Sequence, residues 1–191
     1  MITYSNYKLP PGLEYIGDGF TIRKTVECSN KETVQFMQAL CQHLIAHPDP
    51  MIVPVYSFEY LGEKASHCYS YSYDMMRLGD LTDEEKKIIW EVTRAKGAWP
   101  GAGDGPPKSD PLHQFQSNAK VTPEQAWQDY PELMNYLGEV IKLGRYYDLH
   151  DENIMRGEDG LYKIIDIEGF LNVSLSQPDN DWITKTQGEV T

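Results

Sequence analysis

The spacing of apolar residues changes period along the chain. Three short β-rich stretches, Ile2–Tyr7, Leu13–Ile16 and Phe20–Val26, predict strands, and Gly17-Asp18-Gly19 predicts the hairpin turn between the last two. From Lys31 to Ala46 the period becomes helical. Val34, Met37, Leu40, Cys41, Leu44 and Ile45 share one face there, and Ser29 or Asn30 is placed as the cap. Alternation returns over Val53–Tyr60 and His67–Tyr73, with a turn expected at Leu61-Gly62-Glu63-Lys64. Thr82–Lys96 and Pro123–Leu143 then read as helices. The first opens on a capping box of Thr82 and Glu85, and Gly144 is placed to end the second. Between them, Gly97–Lys120 concentrates glycine and proline and predicts an irregular loop, either an insertion or a substrate lid, with Trp99 and Phe115 docking it. A last hairpin is expected from Ile154 and Met155, through Gly157-Glu158-Asp159-Gly160, to Leu161–Ile165. This order predicts an α+β fold: a small antiparallel sheet with one helix, then a mainly helical half carrying a hairpin.

Composition narrows the functional classes. The 191 residues are one domain's worth of chain. Seventeen Lys and Arg stand against 29 Asp and Glu, a net charge of -12, which argues against a broad nucleic-acid-binding surface and against anionic membranes. Such acidity suits a solvated surface or a basic partner. Cys28, Cys41 and Cys68 are widely spaced and form no Cys-x-x-Cys pair, so neither a disulfide framework nor a zinc site is expected, and a reducing cytoplasm is the expected compartment. No apolar run approaches a membrane span, and Met1–Gly12 lacks the pattern of a signal peptide.

The candidate chemistry lies in Arg145–Phe170. Asp148 is followed five residues later by Asn153, then by the hairpin, and then by Asp166 at the end of its second strand. A hairpin brings its ends together, so Asn153 and Asp166 are expected side by side, with Asp148 on the loop leading in. Two oxygen donors of this kind suit Mg²⁺, which takes one or two protein ligands and completes its shell with water and phosphate. An acidic turn capping an ordinary hairpin is the alternative.

The run Asp148-Leu149-His150, the Asp-x-x-x-x-Asn spacing to Asn153 and the strand-end Asp166 resemble the catalytic loop of the protein-kinase-like superfamily, in its aminoglycoside-phosphotransferase form. A second stretch, His47-Pro48-Asp49-Pro50-Met51-Ile52-Val53, resembles the segment that joins the helix of the first lobe to its fourth strand. The resemblance implies that Asp148 orients the attacking hydroxyl and that Asn153 and Asp166 hold Mg²⁺ against ATP. It implies that Ile22 lines the adenine and that Lys24, or failing it Arg23, contacts the phosphates. The helix residue that should pair with this lysine is a glutamate in kinases; here Gln38 falls near that position, and Glu32 lies more than a turn earlier. Adenine would bond to backbone around Asp74 and Met76, in a hinge over Tyr73–Leu81.

The covering loop, Lys8-Leu9-Pro10-Pro11-Gly12, carries a single glycine, so it offers phosphates fewer close amides than the family's glycine-rich loop. Tyr146-Tyr147 stands where kinases switched by loop phosphorylation carry His-Arg, and only Gly169–Thr191 follow Glu168, which leaves little room for a peptide-holding bed. The resemblance thus implies a minimal bilobal kinase-like fold, with a nucleotide-binding part over residues 1–76 and a truncated helical part over residues 77–191. The implied activity is transfer of the γ-phosphate of Mg-ATP to a hydroxyl on a protein, as in compact bacterial-effector or phage kinases. Two other readings compete with it: a pseudokinase that binds a host or partner protein, and a nucleic-acid mimic motivated by charge alone.

Overall fold

Strands β1 (Leu13–Ile16), β2 (Thr21–Cys28), β3 (Val55–Ala65) and β4 (Cys68–Met76) form an antiparallel sheet in the order β1-β2-β4-β3. The computed structural model describes residues 4, 8–93, 121–143, 146 and 148–173. The strand expected over Ile2–Tyr7, apart from Tyr4, lies outside these residues, as do the 97–120 loop, Gly144 and the chain after residue 173.

Glycines close the first turn as expected: Gly17 and Gly19 have φ of 61° and 85°, a region that costs other residues energy. The second turn differs from the expectation. Strands β3 and β4 continue through Leu61–Lys64, pair Ala65 with Cys68, and turn over Ser66 and His67, where His67 takes φ 59°. Gly62, at φ 100°, instead sits at a register shift in β3, so the glycine that signals a turn in the sequence serves a bulge.

Helix α1 (Lys31–Ala46) covers one face of this sheet. Its cap is Asn30, whose Oδ1 accepts the Thr33 amide at 2.7 Å, and Val34, Met37, Leu40, Cys41 and Leu44 are buried beneath it. Ile45 falls off that face and is exposed. Helix α2 (Asp83–Thr93) opens on the capping box: the Glu85 amide donates to Thr82 Oγ1 and the Thr82 amide to Glu85 Oε2.

The long helix expected over Pro123–Leu143 is two helices, α3 (Pro123–Asp129) and α4 (Pro131–Leu143). Tyr130 breaks them, with φ -134° and ψ 53°. A proline ring clashes with helical backbone at the residue before it, and Pro131 also lacks the amide needed to carry the ladder on. Leu133, Met134, Leu137, Val140 and Ile141 of α4 nevertheless keep the expected apolar face and are buried.

The hairpin β5 (Ile154–Arg156) and β6 (Tyr162–Ile164) is fastened to the sheet by backbone hydrogen bonds. The Val53 amide donates to the Ile164 carbonyl at 2.8 Å, and the Ile164 amide donates to Met51 at 2.9 Å. Gly79 and Arg156 exchange two further bonds, at 2.8 and 3.0 Å. The segment that leaves α1 and the segment that leaves β4 are therefore both pinned to the hairpin. One apolar core runs from Met37, Tyr71 and Tyr73 under α1 to Leu137, Ile164 and Phe170. Among the described residues no helix is long and apolar enough to cross a membrane.

Glu85 ties α2 to the hairpin as well as capping its own helix. Its buried carboxylate accepts the Tyr162 hydroxyl at 2.6 Å and pairs with Arg156. Burial works against its charge, yet the Tyr162 hydroxyl, the Thr82 amide and Arg156 together hold its carboxyl below the ordinary range. Glu85→Ala should therefore lower unfolding stability by about 2–3 kcal/mol, since it removes the Glu85 half of the capping box, the acceptor of the Tyr162 hydroxyl and the carboxylate partner of Arg156. Urea unfolding measures this; a loss within about 0.5 kcal/mol would show that the cluster does not stabilise the fold.

Candidate active site

Between the sheet and the hairpin lies a cavity of about 320 Å³. Its walls are mostly aliphatic: Leu9, Pro10, Leu13 and Ile22 on one side, Met75, Met76 and Leu78 behind, Met155 and Ile165 opposite. Charged and amide groups enter it as well, among them Lys24, Asn153 and Asp166. An apolar slot with a few convergent polar groups is the general form of a small-molecule site.

Alternation along β2 decides which side chains reach the cavity. Ile22 and Lys24 face it, while Arg23 points to the other side and grips Asp74 with two bonds of 2.7 and 3.0 Å. The strap before β1 lies against β2 through the Thr25 amide, which donates to the Gly12 carbonyl at 2.7 Å. Gly12 has φ +86°, and a Cβ there would stand 2.9 Å from the Thr25 carbonyl oxygen, so this approach requires glycine. At the cavity edge the Arg77 guanidinium lies over the Tyr15 ring, 4.8 Å from its centroid.

Asp148, Asn153 and Asp166 are brought together by backbone geometry. A single 3₁₀ turn over Asp151–Asn153 delivers Asn153 to the start of β5, and the Asn153 carbonyl accepts the Ile165 amide at 3.0 Å. The Asn153 amide group donates to the Asp148 carbonyl at 2.8 Å and to Asp148 Oδ2 at 3.0 Å. Asp148 is thereby oriented by Asn153, with its own side chain 44% exposed to solvent. Asp166 follows β6, where Tyr146 fixes its backbone by donating to its carbonyl at 2.8 Å.

Lys24 reaches across to this loop. Its ammonium lies 2.9 Å from Asp166 Oδ1 and 2.8 Å from Glu168 Oε2, and Glu168 Oε2 also accepts the Tyr73 hydroxyl at 2.8 Å. Burial alone would discharge Lys24, but the two carboxylates outweigh it and raise its pKa. Burial also works against the charge of Asp166, while its hydrogen-bonded neighbours Glu168 and Lys24 hold its carboxyl below the ordinary range. Burial pushes the Glu168 carboxyl up to about 7, and the adjacent Asp166 carboxylate adds to the rise against the opposing pull of Lys24. The two acids share one cation, and Asp166 keeps the negative charge more firmly.

No family model and no curated protein matches this chain. The geometry is therefore the ground on which the expected residues are placed.

Lys24, Ile22, Asn153 and Asp166 meet at the cavity, with Asp148 bonded to Asn153. Gln38 does not join them. It is exposed on the outer face of α1, because Met37 and Cys41 occupy the inward positions, and the partners of Lys24 come from the segment after β6 instead. Asp74 is half-buried in the central strand β4, paired with Arg23 rather than turned toward the cavity. Met76 lines the cavity, but its amide donates to the Pro54 carbonyl at 2.9 Å, and the next amide, of Arg77, donates to Phe20 at 2.8 Å.

Glu168 and Tyr146 are the residues that sequence reasoning missed. Their signal is faint but present: Glu168 is an acid set between Ile167 and Gly169-Phe170, where only a partnered carboxylate is tolerated. Gly169 is required beside it, since a Cβ there would stand 2.3 Å from the Tyr146 ring.

Among the described residues no cluster of three or more His, Cys, Asp or Glu side chains forms a metal cage. Mg²⁺ does not need one, and the Asn153 amide oxygen and the Asp166 carboxylate are the oxygen donors available to it.

A raised carboxyl pKa has a definite sign in folding. Between the ordinary value of 4.5 and about 7, the folded protein holds a proton on Glu168 that the unfolded chain releases. The stabilisation from this group is complete below 4.5 and is lost as pH rises through that window. Glu168→Gln should therefore shift the melting temperature relative to the wild type in a pH-dependent way, with the variant gaining as pH rises toward 7 and no further change above about 8. Melting curves across the range check it; a constant offset would show that the Glu168 carboxyl binds its proton equally in the folded and unfolded chain.

Proposed function

We propose that this protein is a kinase-like phosphotransferase that transfers the γ-phosphate of Mg-ATP to a hydroxyl group, with a protein as acceptor. The observation that carries the reading is the meeting of Lys24, Asn153 and Asp166 at an aliphatic slot, with Asp148 tied to Asn153 beside it. In this reading the sheet with α1 and the hairpin with the helices are the two lobes, and Arg77–Leu78 is the crossing between them.

Mg-ATP, when bound, supplies the phosphoryl group and the metal charge that neutralises it. The chain's own part is positioning and electrostatics, the main sources of catalysis in phosphoryl transfer. Ile22, Met155 and Ile165 would flank the base and exclude water from it. Lys24 would set a positive charge against the phosphates, and the Asn153 amide oxygen and Asp166 would hold the metal. Asp148, oriented by the Asn153 amide, accepts the proton of the acceptor hydroxyl as its oxygen attacks.

A binding-only pseudokinase is favoured by a separate observation. The amides of Met76 and Arg77, where adenine would ordinarily be read, donate to Pro54 and Phe20 instead. The two readings diverge in a labelling experiment with γ-labelled ATP, Mg²⁺ and cell extract as acceptor source. Phosphotransfer predicts labelled protein in the wild type, a loss of about 10²-fold or more in Asp166→Ala, and a loss of about 10²–10⁴-fold in Asp148→Asn. Nucleotide binding without labelling would favour the pseudokinase, and absence of Mg-ATP binding as well as labelling would overturn the phosphotransferase reading.

A further inference from the structure

Lys24 has two carboxylate partners, and the site as proposed needs one of them for something else. Asp166 Oδ1, which accepts the ammonium at 2.9 Å, belongs to the side chain placed to hold a metal ion. A cation bound there competes with the ammonium for the same oxygens. Left without a partner, an ammonium whose side chain is only 22% exposed would either withdraw from the cavity or hold the metal off.

The second partner is built to stay. Glu168 Oε2 lies 2.8 Å from Lys24 Nζ and also accepts the hydroxyl of Tyr73, a fully buried residue of the central strand β4. Lys24 and Tyr73 are paired directly across the β2–β4 ladder, so cation and anchor project from neighbouring backbones and Glu168 bridges them. The Glu168 amide donates to Asp166 Oδ1 at 3.2 Å, which fixes the two acids relative to each other. Helix α1 supplies no substitute: its inward positions are Val34, Met37, Leu40, Cys41 and Leu44, and its acid Glu32 is exposed in the first turn. Glu168 Oε1 is buried with no hydrogen-bond partner among the described residues, an arrangement that a purely structural latch would not require.

We propose that Glu168 is the positioning residue that holds Lys24 at the phosphate end of the cavity while Asp166 turns to a metal ion. The role usually given to a helix carboxylate would thus be carried by the residue two places after the metal-binding aspartate. This rests on the phosphotransferase reading, and it predicts that Glu168 affects ligand binding only when metal and phosphate are both present.

The test is nucleotide binding by the full chain, independent of turnover. ATP binding is titrated against Mg²⁺ by calorimetry in the wild type, Glu168→Gln and Tyr73→Phe, with adenosine as a ligand that carries neither phosphate nor metal. At about pH 8, above the value of about 7 to which burial pushes the Glu168 carboxyl, Glu168→Gln keeps the shape and removes the charge. The Mg²⁺ concentration for half-maximal ATP binding should rise about tenfold, with adenosine affinity unchanged within about twofold. Tyr73→Phe, which removes only the anchor hydroxyl, should move the midpoint in the same direction by about threefold, and it carries the test if the glutamine variant fails to fold. An unchanged Mg²⁺ midpoint in the folded variants, or a parallel loss of ATP and adenosine binding, would overturn the role of Glu168 and leave the phosphotransferase reading standing. A wild type that binds neither ATP nor adenosine would overturn that reading and this one with it.

Discussion

Lys24 extends from the second strand of the sheet to two acids that follow the hairpin, and this bridge of one ammonium and two carboxylates sets the geometry of the cavity between them. Charge taken out of water is stable only when it is paired and hydrogen-bonded, because an unpartnered buried ion costs several kcal/mol. Each member of the group meets that condition through another element. Tyr73 of the central strand holds Glu168, Tyr146 holds the Asp166 backbone, and the close approach of the Tyr146 ring demands glycine at position 169. Sheet, hairpin and the segment between them therefore have one mutually consistent arrangement.

The backbone contacts explain why so short a hairpin can serve as a platform. Strands of three residues have little stability alone. Here Met51 and Val53 on one side, and Gly79 on the other, bond to the hairpin and extend its hydrogen bonding beyond its own two strands. Buried Lys163 adds to this, spanning from β6 to the Pro50 carbonyl at 2.9 Å and to Asp159 at 2.8 Å. The buried carboxylate of Glu85 fixes the far side through Arg156 and Tyr162. Asn153 and Asp166 therefore project from a support held by several elements at once.

Much of the fold was legible because it rests on local rules. The apolar periodicity placed α1 with the bounds observed, and the capping box of Thr82 and Glu85 formed as its spacing implied. Glycines at 17 and 19 marked a turn that needs positive φ. Errors arose where one residue type serves two purposes. Gly62 was read as a turn and serves a bulge, and Pro131 was read through as helix interior although it starts a new helix. In the site, Ile22 and Lys24 reached the cavity because strand alternation is a local property, and Asn153 met Asp148 because a five-residue loop leaves little freedom.

What lay beyond the sequence was partner choice. The linear reading placed Gln38 near Lys24 and gave no such place to Glu168, yet the first faces solvent and the second is bonded to Lys24 across 144 positions. Helix rotation, fixed by burial of Met37 and Cys41, decided the first; the path of the chain after β6 decided the second. The Met76 amide, free in any one-dimensional account, is taken by Pro54 because β3 and the segment before it lie alongside. The sequence by itself determined the elements, the alternation that aims Lys24, and the Asp148, Asn153 and Asp166 set. Only the tertiary structure decided which carboxylate holds the lysine, because burial and pairing of charge are properties of elements packed against one another and not of any one of them.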